Sequence, residues 1–286
     1  MSASLARRIA VAAVAIPLAV AVVYAGDWML VGTLSLLGAL GARELFDLAA
    51  QRNARAFRLS GYTGAALCPV LVYLGFGDGG ATAGAWIVLV PALWFLLVLG
   101  IATARRPPDG GPLAGVAVTL LGAVYAGGLP SGLVLLRHGG ESWSPWGATA
   151  LAFLPLVTTW VCDTCAMAGG AAFGGPKLAP VVSPGKTWSG TVAGAVGALV
   201  AAPLWGMLVV GPAGIAVPLW SLVACGLFAG TAGQFGDLAE SLFKREAGVK
   251  DSGGLFPGHG GVLDRLDSLY WTVPGTTAIL ALGGVL

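Results

Sequence analysis

Residues 234–268, QFGDLAESLFKREAGVKDSGGLFPGHGGVLDRLDS, hold the densest chemistry in this 286-residue chain. Six of the chain's 13 carboxylates lie here, Asp237, Glu240, Glu246, Asp251, Asp264 and Asp267, with four of its 15 cations, Lys244, Arg245, Lys250 and Arg265. A solvated loop would account for the charge but not for its placing. Asp237 closes one long apolar stretch, and Asp264 and Asp267 open the next. Ionisable groups at membrane depth are costly and usually functional. Carboxylates from two neighbouring helices suit a hard cation such as Mg²⁺, which takes oxygen ligands. Metal-holding carboxylates beside cations suit a polyphosphate substrate. The glycines of PGHGG, Gly260 and Gly261 among them, let backbone approach phosphate oxygens. His259 in that loop fits a phosphate contact, a general acid or a structural donor equally well.

A second cluster, WVCDTCAMAGGAAFGGPKLAPVVSPGKTWSG, spans 160–190. Asp163 lies inside an apolar run and is expected to face the bundle interior. PVVSPGKT (180–187) is one residue from a phosphate-binding loop, with Pro180 in place of its first glycine. That loop needs a preceding strand and a following helix in an α/β fold; neither is expected here, and the reading is rejected. Lys186 remains as a phosphate cation in a rigid Ser-Pro-Gly turn. Cys162-Asp-Thr-Cys165 has redox or metal spacing, but no second such pair completes a zinc site. The cysteines are read as small packing residues in a membrane helix.

The elements that position these residues are helices in a bilayer. The chain is 57% hydrophobic and 10% charged, where a soluble domain carries about a quarter charged residues. Nine apolar segments are read near 9–25, 28–42, 59–76, 84–103, 113–136, 148–170, 190–210, 215–236 and 268–286, against the roughly 20 residues a bilayer core demands. The segments lack the alternation of barrel strands. The fold expected is therefore an all-α polytopic membrane protein of about nine transmembrane helices. With nine spans, Arg137 alone among the 15 Lys and Arg residues falls opposite the side bearing Arg7 and Arg8. The positive-inside rule then places the N-terminus in the cytoplasm and the C-terminus outside. The first segment has the charge and apolar core of a signal peptide, but is kept as an uncleaved helix because its removal spoils the alternation. One membrane domain, 1–286, is expected: N-terminal helices over 1–145, with an interfacial helix at 43–58, and a catalytic half over 146–286. Gly226, Gly230 and Gly233 lie at helical spacing, and Asp237, eleven residues past Gly226, is expected on the same tightly packed face. A net charge of +2 without a basic block gives no sign of nucleic-acid binding.

Residues 241–267 resemble the signature of the phosphatidate cytidylyltransferases, also called CDP-diacylglycerol synthases. The matching positions are Ser241, Lys244-Arg245, Lys250-Asp251, Pro257, His259-Gly260-Gly261, Asp264-Arg265 and Asp267, with Asp237, Glu240, Asp163, Ser183-Pro184 and Lys186-Thr187 upstream. Direct motif resemblance covers the C-terminal part of the chain; the first half is similar only in its hydrophobicity and in ARELFDL. One departure stands out. The family commonly reads Ser-Pro-Lys-Lys-Thr-Trp-Glu-Gly, whereas this chain reads SPGKTWSG, with Gly185 and Ser189 replacing a Lys and a Glu.

The resemblance implies that CTP and phosphatidate give CDP-diacylglycerol and pyrophosphate. It implies metal binding by Asp237 and Asp264, with Mg²⁺ and room for a second, monovalent or divalent, cation. Lys244, Arg245 and Lys250 are placed with these two aspartates as the catalytic set. Asp163, Ser183, Lys186, Thr187, Ser241, Asp251, His259, Gly260, Gly261, Arg265 and Asp267 are placed as substrate-binding. The partners expected are CTP, phosphatidate, membrane lipid and a second copy in a homodimer. The location expected is a bacterial inner membrane, with the site on its cytoplasmic side. The alternatives are a CTP-dependent polyprenol kinase, a secondary transporter with midplane carboxylates and related halves, and a nonenzymatic lipid-binding protein.

Overall fold

The computed structural model describes the backbone of residues 3–77, 81–140, 142–255 and 260–286, and the side chains of these outside 3–12 and 76–84. The apolar segments form the helices α1 (Ala3–Ala25), α2 (Asp27–Ala50), α3 (Arg58–Gly77) and α4 (Ala81–Arg105). Next come α5 (Pro108–His138) and α6 (Pro145–Phe173). A hairpin of β1 (Lys177–Ala179) and β2 (Ser183–Thr187) leads into α7 (Trp188–Val210) and α8 (Leu219–Glu246). The short α9 (Leu263–Leu266) precedes α10 (Leu269–Leu282). Each of the nine apolar segments coincides with one of these helices. Among the described residues six helices are long and apolar enough to cross a membrane: α2, α4, α5, α6, α7 and α8. The protein is thus an all-α membrane protein. Its outward surface is apolar where lipid would lie, as at Trp86, Leu89, Leu93 and Leu96 of α4.

The helices that carry the site are fixed by caps and by close backbone approach. Ser144 accepts a hydrogen bond from Gly147 N at 3.0 Å to start α6, with Pro145 at its first position. Thr187 accepts one from Gly190 N at 3.2 Å to start α7. α6 and α7 then pack almost without intervening side chains. A Cβ on Gly190 would stand 2.7 Å from Ala166 O, and one on Gly194 would stand 2.9 Å from Cys162 O. Cys162 and Cys165 sit against Gly194 and Gly197 and are free thiols, in keeping with the packing role read for the CxxC.

Four local features differ from the sequence reading. First, 43–58 is not an interfacial helix: residues 43–50 complete α2, and residues 51–57 turn the chain back into α3. Second, residues 183–187 form a strand rather than a free turn, paired antiparallel with Lys177 opposite Thr187 and Ala179 opposite Ser183. A strand therefore does precede α7, but Pro184 and Gly185 belong to its hairpin and not to a phosphate-cradling loop. Third, α8 does not stop with the apolar stretch at 236; it runs on to Glu246. Fourth, a π-helical turn at Ala229–Gly233 shifts its face. Gly226 and Gly230 back onto Ala198 and Ala195 of α7, whereas Gly233 meets Thr272 of α10 and Gly236 meets the backbone of Asp267 and Ser268. Asp237 lies beyond this shift and pairs with Lys186 of β2.

Candidate functional site

A cleft of about 560 Å³ opens between α6, the hairpin and α8. Asp163, Lys186, Thr187, Gln234 and Asp237 supply its polar wall, and Gly170, Gly174, Gly175 and Gly185 leave room in it. Lys186 is the hub. Its ammonium stands 2.9 Å from Asp237 Oδ2 and donates to Gln234 O at 3.3 Å. The other oxygen of Asp237 accepts from Ser241 Oγ at 3.2 Å, one helical turn on. Gln234 Nε2 donates to Gly230 O at 2.6 Å and to Thr191 O at 3.0 Å, tying the π turn to α7. The π turn is thus what presents Asp237 to the cleft.

Asp267 adjoins this wall. A Cβ on Gly236 would stand 2.6 Å from Asp267 O, so only glycine lets the two backbones meet there. Burial pushes the Asp267 carboxyl up to about 7, reinforced by the negative charges of Asp237 and Asp163 and opposed by the Ser268 amide and Lys186. Three carboxylates from α6, α8 and the α9–α10 junction therefore share one field with Lys186. The opposite side of the α6–α7 pair carries an apolar groove of about 1140 Å³ lined by Val157, Val161, Val192, Val196 and Val200.

A second nest lies one turn further along α8. Lys244 bridges Glu240 Oε2 at 2.5 Å and Asp264 Oδ1 at 2.6 Å, and all three side chains are nearly buried. Asp264 Oδ2 accepts three hydrogen bonds at 2.8 Å, from Ser252 N, Ser252 Oγ and Gly261 N. Burial alone would raise the Asp264 carboxyl, but the donors from Gly261, Lys244 and Ser252 outweigh it and hold it at about 2. Gly260 takes a positive φ of 77°, and a Cβ there would overlap the Asp264 carboxylate.

The residues singled out in the sequence therefore separate into groups. Asp163, Lys186, Thr187, Ser241, Asp237 and Asp267 gather at or beside the cleft. Lys244, Asp264, Gly260 and Gly261 form the adjoining nest. Ser183 pairs in the hairpin. Arg245 is exposed and donates to Val182 O at 3.3 Å and Val249 O at 3.2 Å, stitching α8 to the hairpin. Lys250, Asp251 and Arg265 are exposed, without an ion-pair partner among the described residues. His259 lies outside the described residues. Lys244 stands between two internal carboxylates, which share its charge. The reading of the residues passed over Glu44 as a site residue. It is buried, yet it reaches the 252–263 segment from α2 in the first half of the chain. Its signal was a carboxylate among the few charged residues near the end of a long apolar helix.

No three His, Cys, Asp or Glu side chains among the described residues close around a metal-sized space. The two predicted metal ligands each carry a lysine ammonium, Lys186 on Asp237 and Lys244 on Asp264. Both positions thus favour positive charge. Mg²⁺ is commonly held by one or two carboxylates with water and substrate phosphates completing its shell. This donor set fits that mode and not an all-protein cage.

The model of the cytidylyltransferase family matches residues 6–282. A phosphatidate cytidylyltransferase of Brucella suis is 41% identical over 228 residues, covering 79% of this chain and 74% of that protein. The chloroplastic phosphatidate cytidylyltransferase 4 of Arabidopsis thaliana is 34% identical over 277 residues, covering 88% and 67%. One from Synechocystis is 32% identical over 301 residues, covering 94% of both chains.

Proposed function

This chain belongs to the cytidylyltransferase family, and we propose that it transfers the cytidylyl group of CTP to phosphatidate, giving CDP-diacylglycerol and pyrophosphate. The observation that carries this reading is the Lys186–Asp237 pair set in a polar cleft beside a further, half-buried carboxylate, Asp267. A phosphate oxygen of phosphatidate is already an anionic nucleophile, so no strong base is needed. It attacks the α-phosphorus of CTP, a new P–O bond forms, and the bond to the β-phosphate oxygen breaks to release pyrophosphate. The obstacle is the meeting of two polyanions, which is lowered by positioning and by fixed positive charge.

Lys186 supplies such a charge from the wall of the cleft, with exposed Lys177 on the same wall. Asp237 and Asp264 would hold Mg²⁺, with Asp267 adding negative charge nearby. When bound, the ion neutralises phosphate charge and orients the triphosphate. Glycines at 170, 174, 175 and 185 leave the space a nucleotide triphosphate requires. Helices α1–α8 and α10 are proposed to cross the membrane, nine times in all, with the N-terminus and the cleft on the cytoplasmic side, in a bacterial inner membrane. CTP then enters from water, and the lipid presents its phosphate from the bilayer.

The test uses the purified full chain in detergent with phosphatidate, Mg²⁺ and CTP labelled at the α- or γ-phosphate. The expected result is α-label in the lipid, γ-label in pyrophosphate, and loss of both on chelation with recovery on added Mg²⁺. γ-Label in the lipid with release of CDP would establish a kinase instead, and turnover indifferent to chelation would remove the metal.

A further inference from the structure

We propose that Glu44 is a positioning residue for this reaction: its carboxylate, from α2, fixes the two ends of the glycine-rich segment 252–263 in register beside Asp264. The proposal rests on the reading above that this segment belongs to the substrate site.

Glu44 is 8% exposed. Its Oε1 accepts from Val262 N at 2.9 Å, and its Oε2 accepts from Leu263 N and from Ser252 Oγ, both at 2.9 Å. Those partners are 208 to 219 residues away in the chain. Among the described residues no lysine or arginine pairs with Glu44, so its buried charge is compensated by these donors. Such charge-assisted bonds are about twice as strong as neutral ones. The segment is shaped to receive it. A Cβ on Gly253 would stand 2.6 Å from Oε1, and one on Gly261 would overlap both carboxylate oxygens.

The bonds explain why a carboxylate is required. Val262 N and Leu263 N each need an acceptor, and they use different oxygens. An amide offers one oxygen and one NH₂, so Gln at position 44 sets a donor against one of the two N–H groups in either orientation. The link to Asp264 is direct: Ser252 Oγ stands 2.9 Å from Glu44 Oε2 and 2.8 Å from Asp264 Oδ2, so the two carboxylates share its one proton. Glu44 thus acts through the segment and through Ser252 on a carboxylate assigned to the metal. It ties the first half of the chain into the site of the second.

The experiment compares the parent chain with Glu44→Gln and Ser252→Ala, all full length in detergent. It follows amide hydrogen exchange at Val262 and Leu263 together with steady-state kinetics in CTP and phosphatidate. For Glu44→Gln, exchange at these two amides is expected to accelerate about tenfold or more, the effect of losing one charge-assisted bond. Exchange within α6 should be unchanged, and kcat/KM for CTP should fall at least as far. Ser252→Ala, which leaves both carboxylates in place, should shift both readouts in the same direction by a smaller factor, and it decides the matter if Glu44→Gln does not fold. A purely structural role would lower the melting temperature while leaving kcat and both KM values of the folded protein at parent level. Unchanged exchange at Val262 and Leu263 overturns the tether itself. Faster exchange with parent kinetics overturns the proposal differently: the tether exists, but the segment does not serve the substrate site.

Discussion

Lys244 offers the sharpest separation of internal counter-ion from substrate contact. Its side chain is 11% exposed between Glu240 at 1% and Asp264 at 7%. Lys244→Met keeps most of the side-chain volume but leaves two carboxylates facing each other without their shared cation. Breaking a buried pair by removing one partner costs about 3–5 kcal/mol. For a chain of this size each kcal/mol corresponds to roughly 2–4 °C, so a fall in melting temperature of about 10 °C is expected. Glu240→Gln in the same chain removes one of the stranded charges, and the double variant should recover about half of the loss. The assay is thermal unfolding in detergent followed by tryptophan fluorescence, read beside CTP turnover. A melting temperature within about 2 °C of the parent, less than the shift from 1 kcal/mol, together with a KM for CTP raised tenfold, would refute the counter-ion role and return Lys244 to the phosphates.

Three further outcomes follow from the geometry. Gly261→Ala places a methyl group on the Glu44 carboxylate and should reduce CTP turnover at least tenfold, whereas Gly254→Ala, where a Cβ meets nothing within 4 Å, should remain near the parent. Asp267 is raised from 3.8 to about 7, so its charged form is disfavoured by folding. Its contribution is therefore lost as pH rises from about 4 through 7, and in metal-free buffer Asp267→Asn should flatten the fall of melting temperature across that window. A melting profile as steep as the parent's would contradict the shared field of Asp163, Asp237 and Asp267. Gly185 lines the cleft with open space around its Cα, so Gly185→Lys should fold like the parent and lower the KM for CTP; an unchanged or higher KM would place the triphosphate away from the hairpin.

Much of this was legible in the sequence. The long apolar runs locate the helices because every backbone polar group must be satisfied within a lipid-facing segment. The crowding of charge at 234–268 locates one wall of the site, and Asp163 and Lys186 do lie across the cleft from it. What escaped depends on contacts distant in sequence. Nothing local in Ala229–Gly233 announces a π turn; it persists because Gln234 ties it to Thr191 on another helix. The hairpin at 177–187 reads as a loop because Pro184 and Gly185 are poor strand formers, and pairing with β1 overrides them. Glu44 looks like a surface charge in ARELFDL until the segment more than 200 residues later folds over it. The pairing of Lys244, placed in the catalytic set, with Glu240 one turn before it on α8 also shows only once the helix is built.

The central claim is that Asp237, on the far side of the π turn, joins the metal to the nucleotide. The direct measurement is Mg²⁺-dependent CTP binding and turnover by Asp237→Asn, with melting temperature as the control. The account predicts a folded protein that melts near the parent temperature, has lost turnover by at least a hundredfold, and no longer binds CTP more tightly when Mg²⁺ is added. Turnover near the parent level with an unchanged Mg²⁺ dependence would contradict it.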